Sequence, residues 1–130
     1  MTAQISIITV PFMFNITVNC YLVRADDGFV LIDTGMPRSR RVIEGALQRA
    51  GCQPGDLKLI ALTHGDWDHC GNAAYLRQQY GAKIAIHEAD RGMVEQGDMF
   101  WNRKPPNVIV RALMNLLLRL RDVKRSLPHL

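Results

Sequence analysis

Thr63-His64-Gly65-Asp66-Trp67-Asp68-His69-Cys70-Gly71 gathers four potential metal ligands, His64, Asp66, Asp68 and His69, into six residues. It follows directly on Leu57-Lys58-Leu59-Ile60-Ala61-Leu62, an apolar run that reads as a buried strand, and it leads into Asn72–Tyr80, which reads as a helix closed by Gly81. Hard oxygen and borderline imidazole donors clustered like this suit Zn²⁺, Mn²⁺ or Fe²⁺. A loop between strand and helix is also where α/β sheets tend to keep their sites. In an extended loop, residues two apart point the same way. His64, Asp66 and Asp68 are therefore expected to converge, with His69 turned towards a neighbouring second position.

Upstream of the loop, residues 4–10 (Q-I-S-I-I-T-V) are β-branched and partly alternating, as in an edge or hairpin strand. Thr17 to Arg24 resumes a strand, Ala25-Asp26-Asp27-Gly28 carries the Asp-Gly signal of a tight hairpin, and Phe29 to Ile32 is continuously apolar. Such a run is expected of a strand buried on both faces. These segments predict an antiparallel meander. Ser39 to Ala50 then has helical periodicity at Val42, Ile43, Ala46, Leu47 and Ala50, with Ser39 as N-cap and Gly51 as the residue that ends it. A strand-helix-strand unit of this length predicts parallel strands joined by a right-handed crossover. Lys83 to Ile86 adds a short strand, and His87-Glu88-Ala89-Asp90 opens a helix or turn.

T-H-G-D-W-D-H-C-G resembles the signature of the metallo-β-lactamase superfamily, Thr-His-x-His-x-Asp-His followed by a small residue and Gly. One position departs: Asp66 stands where the second His belongs. Phe29-Val30-Leu31-Ile32-Asp33-Thr34-Gly35 is similar to the strand of that family that ends in Asp-Thr-Gly, and Asn19-Cys20-Tyr21-Leu22-Val23 to the strand before it. The resemblance implies an α/β fold of αββα sandwich type, of which this chain carries one half, a mixed sheet with helices on one face. It implies a hydrolase with one or two zinc ions (Mn or Fe as alternatives) and a metal-bound hydroxide that attacks an ester, thioester, lactone, amide or phosphoester bond of a small-molecule substrate.

By the same resemblance, His64 and Asp66 serve one metal position, and Asp68 and His69 the other. Asp68 is the catalytic residue that orients the water, and Asp33 accepts hydrogen bonds from the ligand loop and fixes its shape. Carboxylate in place of imidazole at position 66 makes the site more anionic and biases it towards a harder ion. Cys70 reads as a small buried residue opening a helix, His87 as structural or pocket-lining, and Trp67 as packed beside the pocket. The family's later ligands have no counterpart here, since only His87 and His129 lie beyond the motif, so the chain reads as cut short. The competing reading is a non-catalytic remnant that binds metal or a partner through its basic tail.

With 130 residues, 48% of them hydrophobic, the chain can build one core. Residues 1–98, read as the half-domain, carry a net charge of −2, and residues 99–130, read as a linker and basic amphipathic helix, carry +6. The positive balance thus belongs to the tail alone, and without an aromatic platform or groove-reading motif it does not point to nucleic acid. The apolar residues of Val108–Val123 nearly encircle the helix, which favours packing over membrane contact. Three cysteines without paired spacing argue against a disulfide framework. With no secretory pattern at the N-terminus, the expected compartment is the cytoplasm. Half a sandwich leaves one sheet face bare, so self-association through that face is expected.

Overall fold

Residues 3–96, together with Ile109, Ala112 and Leu113, are described by a computed structural model. Three strands open the chain as an antiparallel meander: β1 (Gln4–Pro11), β2 (Thr17–Ala25) and β3 (Gly28–Ile32). Their register runs from Gln4↔Arg24 to Pro11↔Thr17 and from Tyr21↔Ile32 to Ala25↔Gly28. The glycine of the Asp-Gly signal is the first residue of β3, at a φ of 143°. A Cβ there would lie 2.4 Å from the Asp56 carbonyl oxygen, so close approach of a neighbouring backbone demands glycine as much as the hairpin does.

A 3-10 turn (Pro37–Ser39) leads into helix α1 (Arg40–Arg49), and β4 (Leu57–Leu62) returns parallel to β3. The short helix α2 (Trp67–Cys70), helix α3 (Ala73–Tyr80), the parallel strand β5 (Lys83–Ile86) and helix α4 (Glu88–Gln96) follow. The sheet order is β1-β2-β3-β4-β5, so the expected mixed sheet is present. Gly51 and Gly81 end α1 and α3 with positive φ, as their spacing predicts. Ser39 differs from expectation. It precedes α1, but its hydroxyl makes no cap bond and donates instead to the Pro11 carbonyl at 3.3 Å, tying the end of β1 to the helix.

Strand alternation sorts the sheet into two faces. Val10, Cys20, Leu22, Phe29, Leu31, Leu57, Ile60 and Leu62 face α1 and α3, whose Ile43, Leu47 and Leu76 are fully buried among them. Each such aliphatic side chain contributes roughly 1.5–3 kcal/mol of burial. The opposite face carries two rows that run across all five strands. They are Ile5–Val23–Val30–Leu59–Lys83 and Ile7–Tyr21–Ile32–Ala61–Ala85. Ile5 and Ile7 are 63% and 64% exposed, and Val30 and Ile32 are only half-buried. The apolar run of β3 was expected to be covered on both sides. Its Phe29 and Leu31 are buried and its other two residues are not, because α1 and α3 pack on one side only.

Of the tail, Ile109, Ala112 and Leu113 are helical and exposed, while the expected linker and the rest of the basic helix lie outside the described residues. Among the described residues no helix is long and apolar enough to cross a membrane.

Candidate metal centre

The chain reverses direction at the C-terminal ends of β3 and β4, and two loops meet there. One is Asp33-Thr34-Gly35-Met36, the other residues 63–72. The Thr34 amide and hydroxyl both donate to the His69 carbonyl, at 2.6 and 2.9 Å, and the Gly71 amide donates to the Gly35 carbonyl at 2.9 Å. Asn72, fully buried, donates its side-chain amide to the carbonyls of Thr34 and Met36 at 2.8 and 2.6 Å, and its backbone amide to the Thr34 hydroxyl at 3.1 Å. Gly71 permits this closeness, since a Cβ would sit 2.5 Å from Pro37 Cδ and 2.6 Å from the Gly35 carbonyl oxygen.

Asp33 is the hub between the two loops. It is 3% exposed and holds a φ of 61°, in the left-handed region where side chains other than Asn and Asp are rare. Such backbone persists only where its surroundings over-determine it, and here three hydrogen bonds do so. Asp33 Oδ1 accepts from the Thr63 amide at 2.9 Å. Oδ2 accepts from the Thr63 hydroxyl at 2.7 Å and lies 2.9 Å from His69 Nδ1. Burial opposes its charge, but the bonds from His69 and Thr63 outweigh burial and hold the carboxyl below its ordinary 3.8.

His69 therefore has one nitrogen engaged by Asp33 and presents Nε2 to the pocket, 3.1 Å from Asp68 Oδ2. Burial would lower its pKa, yet the bonds to Asp33 and Asp68 win and raise it to about 9. His64 Nε2 lies 3.5 Å from Asp66 Oδ2, and its Nδ1 lies 3.1 Å from the Thr63 hydroxyl. The two imidazole rings meet edge to face with centroids 3.9 Å apart. His64, Asp66, Asp68, His69 and Asp33 thus form one connected cluster. Two details differ from the reading of the loop as extended. Asp66 is the last extended residue, at φ −68° and ψ 142°, and α2 begins at Trp67, so Asp68 enters the cluster from a helical turn. His69, expected to turn away from His64, packs against it.

The donor set suits a divalent cation. Donor atoms of Asp33, His64 and His69 all lie within 4.8 Å of one another, so these three residues could hold an ion. Three carboxylates share the pocket with two imidazoles, and the side chains of Asp66 and Asp68 are only 19% and 17% exposed. Partly buried like charges are costly unless paired or bound to metal. Thiolate ligation is not favoured: Cys70 donates to the Gly65 carbonyl at 3.5 Å, and burial pushes its thiol far up. Burial likewise raises Cys20 to about 12 and Cys52 to about 11.

His87 is exposed, and its Nδ1 accepts from the Ala89 amide at 3.1 Å, closing the first turn of α4. The side chain of Trp67 lies outside the described ones. Sequence reasoning missed Asp90, whose Oδ2 accepts from the Gly65 amide at 3.2 Å, and the structural part of Asn72. Asn at a helix start is too common a signal to single out. Asp90 lies 25 residues from its partner, beyond any local pattern.

A mixed sheet with a His/Asp cluster at its parallel strand ends, clamped by an Asp-Thr-Gly loop, defines an α/β domain with a candidate metal centre. Residues 15–125 match the metallo-beta-lactamase superfamily, and the chain belongs to it. It is 36% identical over 96 residues to the uncharacterized protein YobT of Bacillus subtilis, covering 73% of this chain and 40% of that protein. It is 32% identical over 114 residues to an N-acyl homoserine lactonase of Bacillus thuringiensis, covering 65% and 46%. Among solved structures, BJP-1, a subclass B3 metallo-beta-lactamase of Bradyrhizobium japonicum, aligns with a TM-score of 0.59 at 29% identity, covering 70% of this chain and 37% of that one. The chain thus spans less than half the length of these relatives.

Proposed function

We propose that this chain carries the metal-ligating motif of a hydrolase acting on an ester-type bond, with a lactone the first substrate class to test. The observation that carries the reading is the pairing at His69: Asp33 fixes Nδ1, which leaves Nε2 beside the Asp68 carboxylate. A ring oriented by a carboxylate on one nitrogen is the usual preparation of a ligating histidine. Asp33 already accepts three hydrogen bonds, so it is assigned the orienting part. His64 with Asp66, and Asp68 with His69, are assigned as ligands of one or two ions, zinc by family likeness.

A bound divalent ion would supply a nucleophile at neutral pH and polarise the scissile carbonyl. Asp68, its carboxylate 3.1 Å from His69 Nε2, is assigned to hold and orient the attacking water. His64 and His69 meet edge to face with centroids 3.9 Å apart, which keeps both imidazoles on one side of the cluster. Asp66 adds a negative charge where the family signature has imidazole, which favours binding of the ion and a harder metal such as Mn²⁺ or Fe²⁺. The lactone preference rests on the likeness to the lactonase. It also rests on the exposed apolar tip of the β1–β2 hairpin, Met13, Phe14 and Ile16, at the same end of the sheet as Asp33. Such a tip suits a substrate with an apolar arm.

The test is metal content by elemental analysis for the natural chain, His64→Ala and Asp68→Ala, followed by a lactone, thioester and phosphodiester screen with and without chelator. About one ion or more in the natural chain and most of it lost in both variants is expected. Equal metal in all three would defeat the ligand assignment. Metal retained without turnover of any substrate would shift the reading to a non-catalytic metal-binding domain, which Asp66 in the place of a histidine would explain.

A further inference from the structure

We propose, on the assignment of His69 as a ligand, that Arg40 is a positioning residue of the metal centre. It fixes the side-chain amide of Asn72, and through it the loop that carries His69. Arg40 stands outside both loops of the site, as the half-buried first residue of α1. Its Nε donates to Asn72 Oδ1 at 3.3 Å.

The contact matters because of how Asn72 is used. An asparagine before a helix ordinarily turns its side-chain oxygen onto the first-turn amides. Asn72 precedes α3 but makes no such bond. Its Nδ2 donates instead to two carbonyls, those of Thr34 and Met36, at 2.8 and 2.6 Å. Carbonyls only accept, so both amide hydrogens are committed and the oxygen must point the other way. Asn72 has no exposure, and a buried oxygen needs a donor. Arg40, a side chain that can only donate, supplies it. With the amide turned over, its oxygen would face two carbonyl oxygens.

The contacts continue to the cluster. The Asn72 backbone amide donates to the Thr34 hydroxyl at 3.1 Å, and that hydroxyl donates to the His69 carbonyl at 2.9 Å. On its other side Arg40 is itself held. Its guanidinium carbon lies 3.9 Å from the Tyr75 ring centroid, and the Tyr75 hydroxyl donates to Glu44 Oε1 at 2.7 Å. Glu44 is one turn beyond Arg40 on α1, and Tyr75 is in the first turn of α3. A guanidinium stacked on a tethered ring has little freedom, as presenting an N–H in one fixed direction requires.

Two uncharged variants separate the hydrogen bond from the charge. Arg40→Gln keeps an N–H donor as many bonds from the backbone as Nε, and Arg40→Met puts a methyl group there. Zinc affinity of the full 130-residue chain is read by competition with a chromogenic chelator. It should fall about tenfold in Arg40→Met and stay near the natural value in Arg40→Gln. Loss of a nearby cation alone would instead strengthen zinc binding in both. Ile43→Val, a core change in the same helix, reports general loosening and should leave the affinity unchanged. A second readout needs no metal. In the chelator-treated protein, the side-chain amide signals of Asn72 and the backbone amide of Thr34 should shift and exchange faster in Arg40→Met, but not in Arg40→Gln. If the natural chain holds no zinc, the ligand assignment fails, and these amide signals alone test Arg40. Natural zinc affinity in Arg40→Met, equal losses in Arg40→Met and Arg40→Gln, a matching loss in Ile43→Val, or amide signals unmoved by Arg40→Met would each overturn the proposal.

Discussion

Asp33 concentrates the chemistry of the site in one side chain. Its carboxylate holds the charged form of His69, and the sign of the resulting pH dependence follows. The His69 pKa of about 9 exceeds its ordinary 6.5, so the stability this pair lends the metal-free chain is complete below about pH 6.5 and is lost as pH rises through about 9. For Asp33, lowered from 3.8, the contribution is present above that value and is lost as pH falls below it. A metal must displace the proton on Nε2, so apparent metal affinity should climb by up to about tenfold per pH unit and level off above pH 9. Competition with a chromogenic chelator across pH 6–10 measures this, and a flat profile would show that Nε2 is not a ligand. Asp33→Asn keeps a residue that tolerates positive φ and removes the charge. The His69 titration followed by NMR should then fall back towards 6.5, with metal affinity about 10–100-fold weaker.

The Asp-Thr-Gly loop and α2 work as a clasp, and the fit between them is a matter of elements rather than of any one ligand. Gly71→Ala would drive a methyl group into Pro37 and the Gly35 carbonyl, and backbone cannot swing aside as a long side chain can. Overpacking of this kind costs about 1–3 kcal/mol or more. The variant should lose that much in urea denaturation, and because Asp68 and His69 ride on α2 it should lose metal as well. A variant of natural stability and metal content would show that the loops are not rigidly opposed. Phe14 lies at the tip of the β1–β2 hairpin and is 97% exposed, so Phe14→Ala should leave the fold untouched. If the tip meets an apolar arm of the substrate, KM for long-chain substrates should rise several-fold while short-chain ones are unaffected; equal effects on both would remove the hairpin from the binding site.

The sheet as a whole has one covered face and one bare face. Two apolar rows across five strands form a patch of a kind that monomers rarely expose. We expect the 130-residue chain to run larger than a monomer on size exclusion with light scattering, and Ile7→Lys, in the centre of β1, to shift it towards monomer. A monomeric natural chain would show that the bare face is tolerated or covered. Robust, chelator-sensitive turnover by such a monomer would further show that the ligands named here suffice, against the expectation that a loop giving at most two protein ligands to each metal position holds its ions weakly.

Much of this architecture was legible in one dimension, because the signals are local. Partial alternation in β1 and periodicity at Ile43 and Leu47 each depend on neighbours within a few residues, as do the glycines that end α1 and α3. The order meander, helix, parallel strand, helix, strand followed from them, and so did the identity of the cluster at His64–His69, whereas the parallel direction of β5 came only from its pairing with β4. What only the folded chain decided were contacts between distant segments. Asp33 grips Thr63 and His69 across 30 and 36 residues, and Asn72 joins Met36 from the same distance as the latter pair. His69 turned towards His64 because α2 begins at Trp67 and carries it round. Ser39 gave its hydroxyl to Pro11 instead of to its own helix. Local pattern specifies which face of an element seeks cover, and the pairing of those faces in space determines which side chains meet.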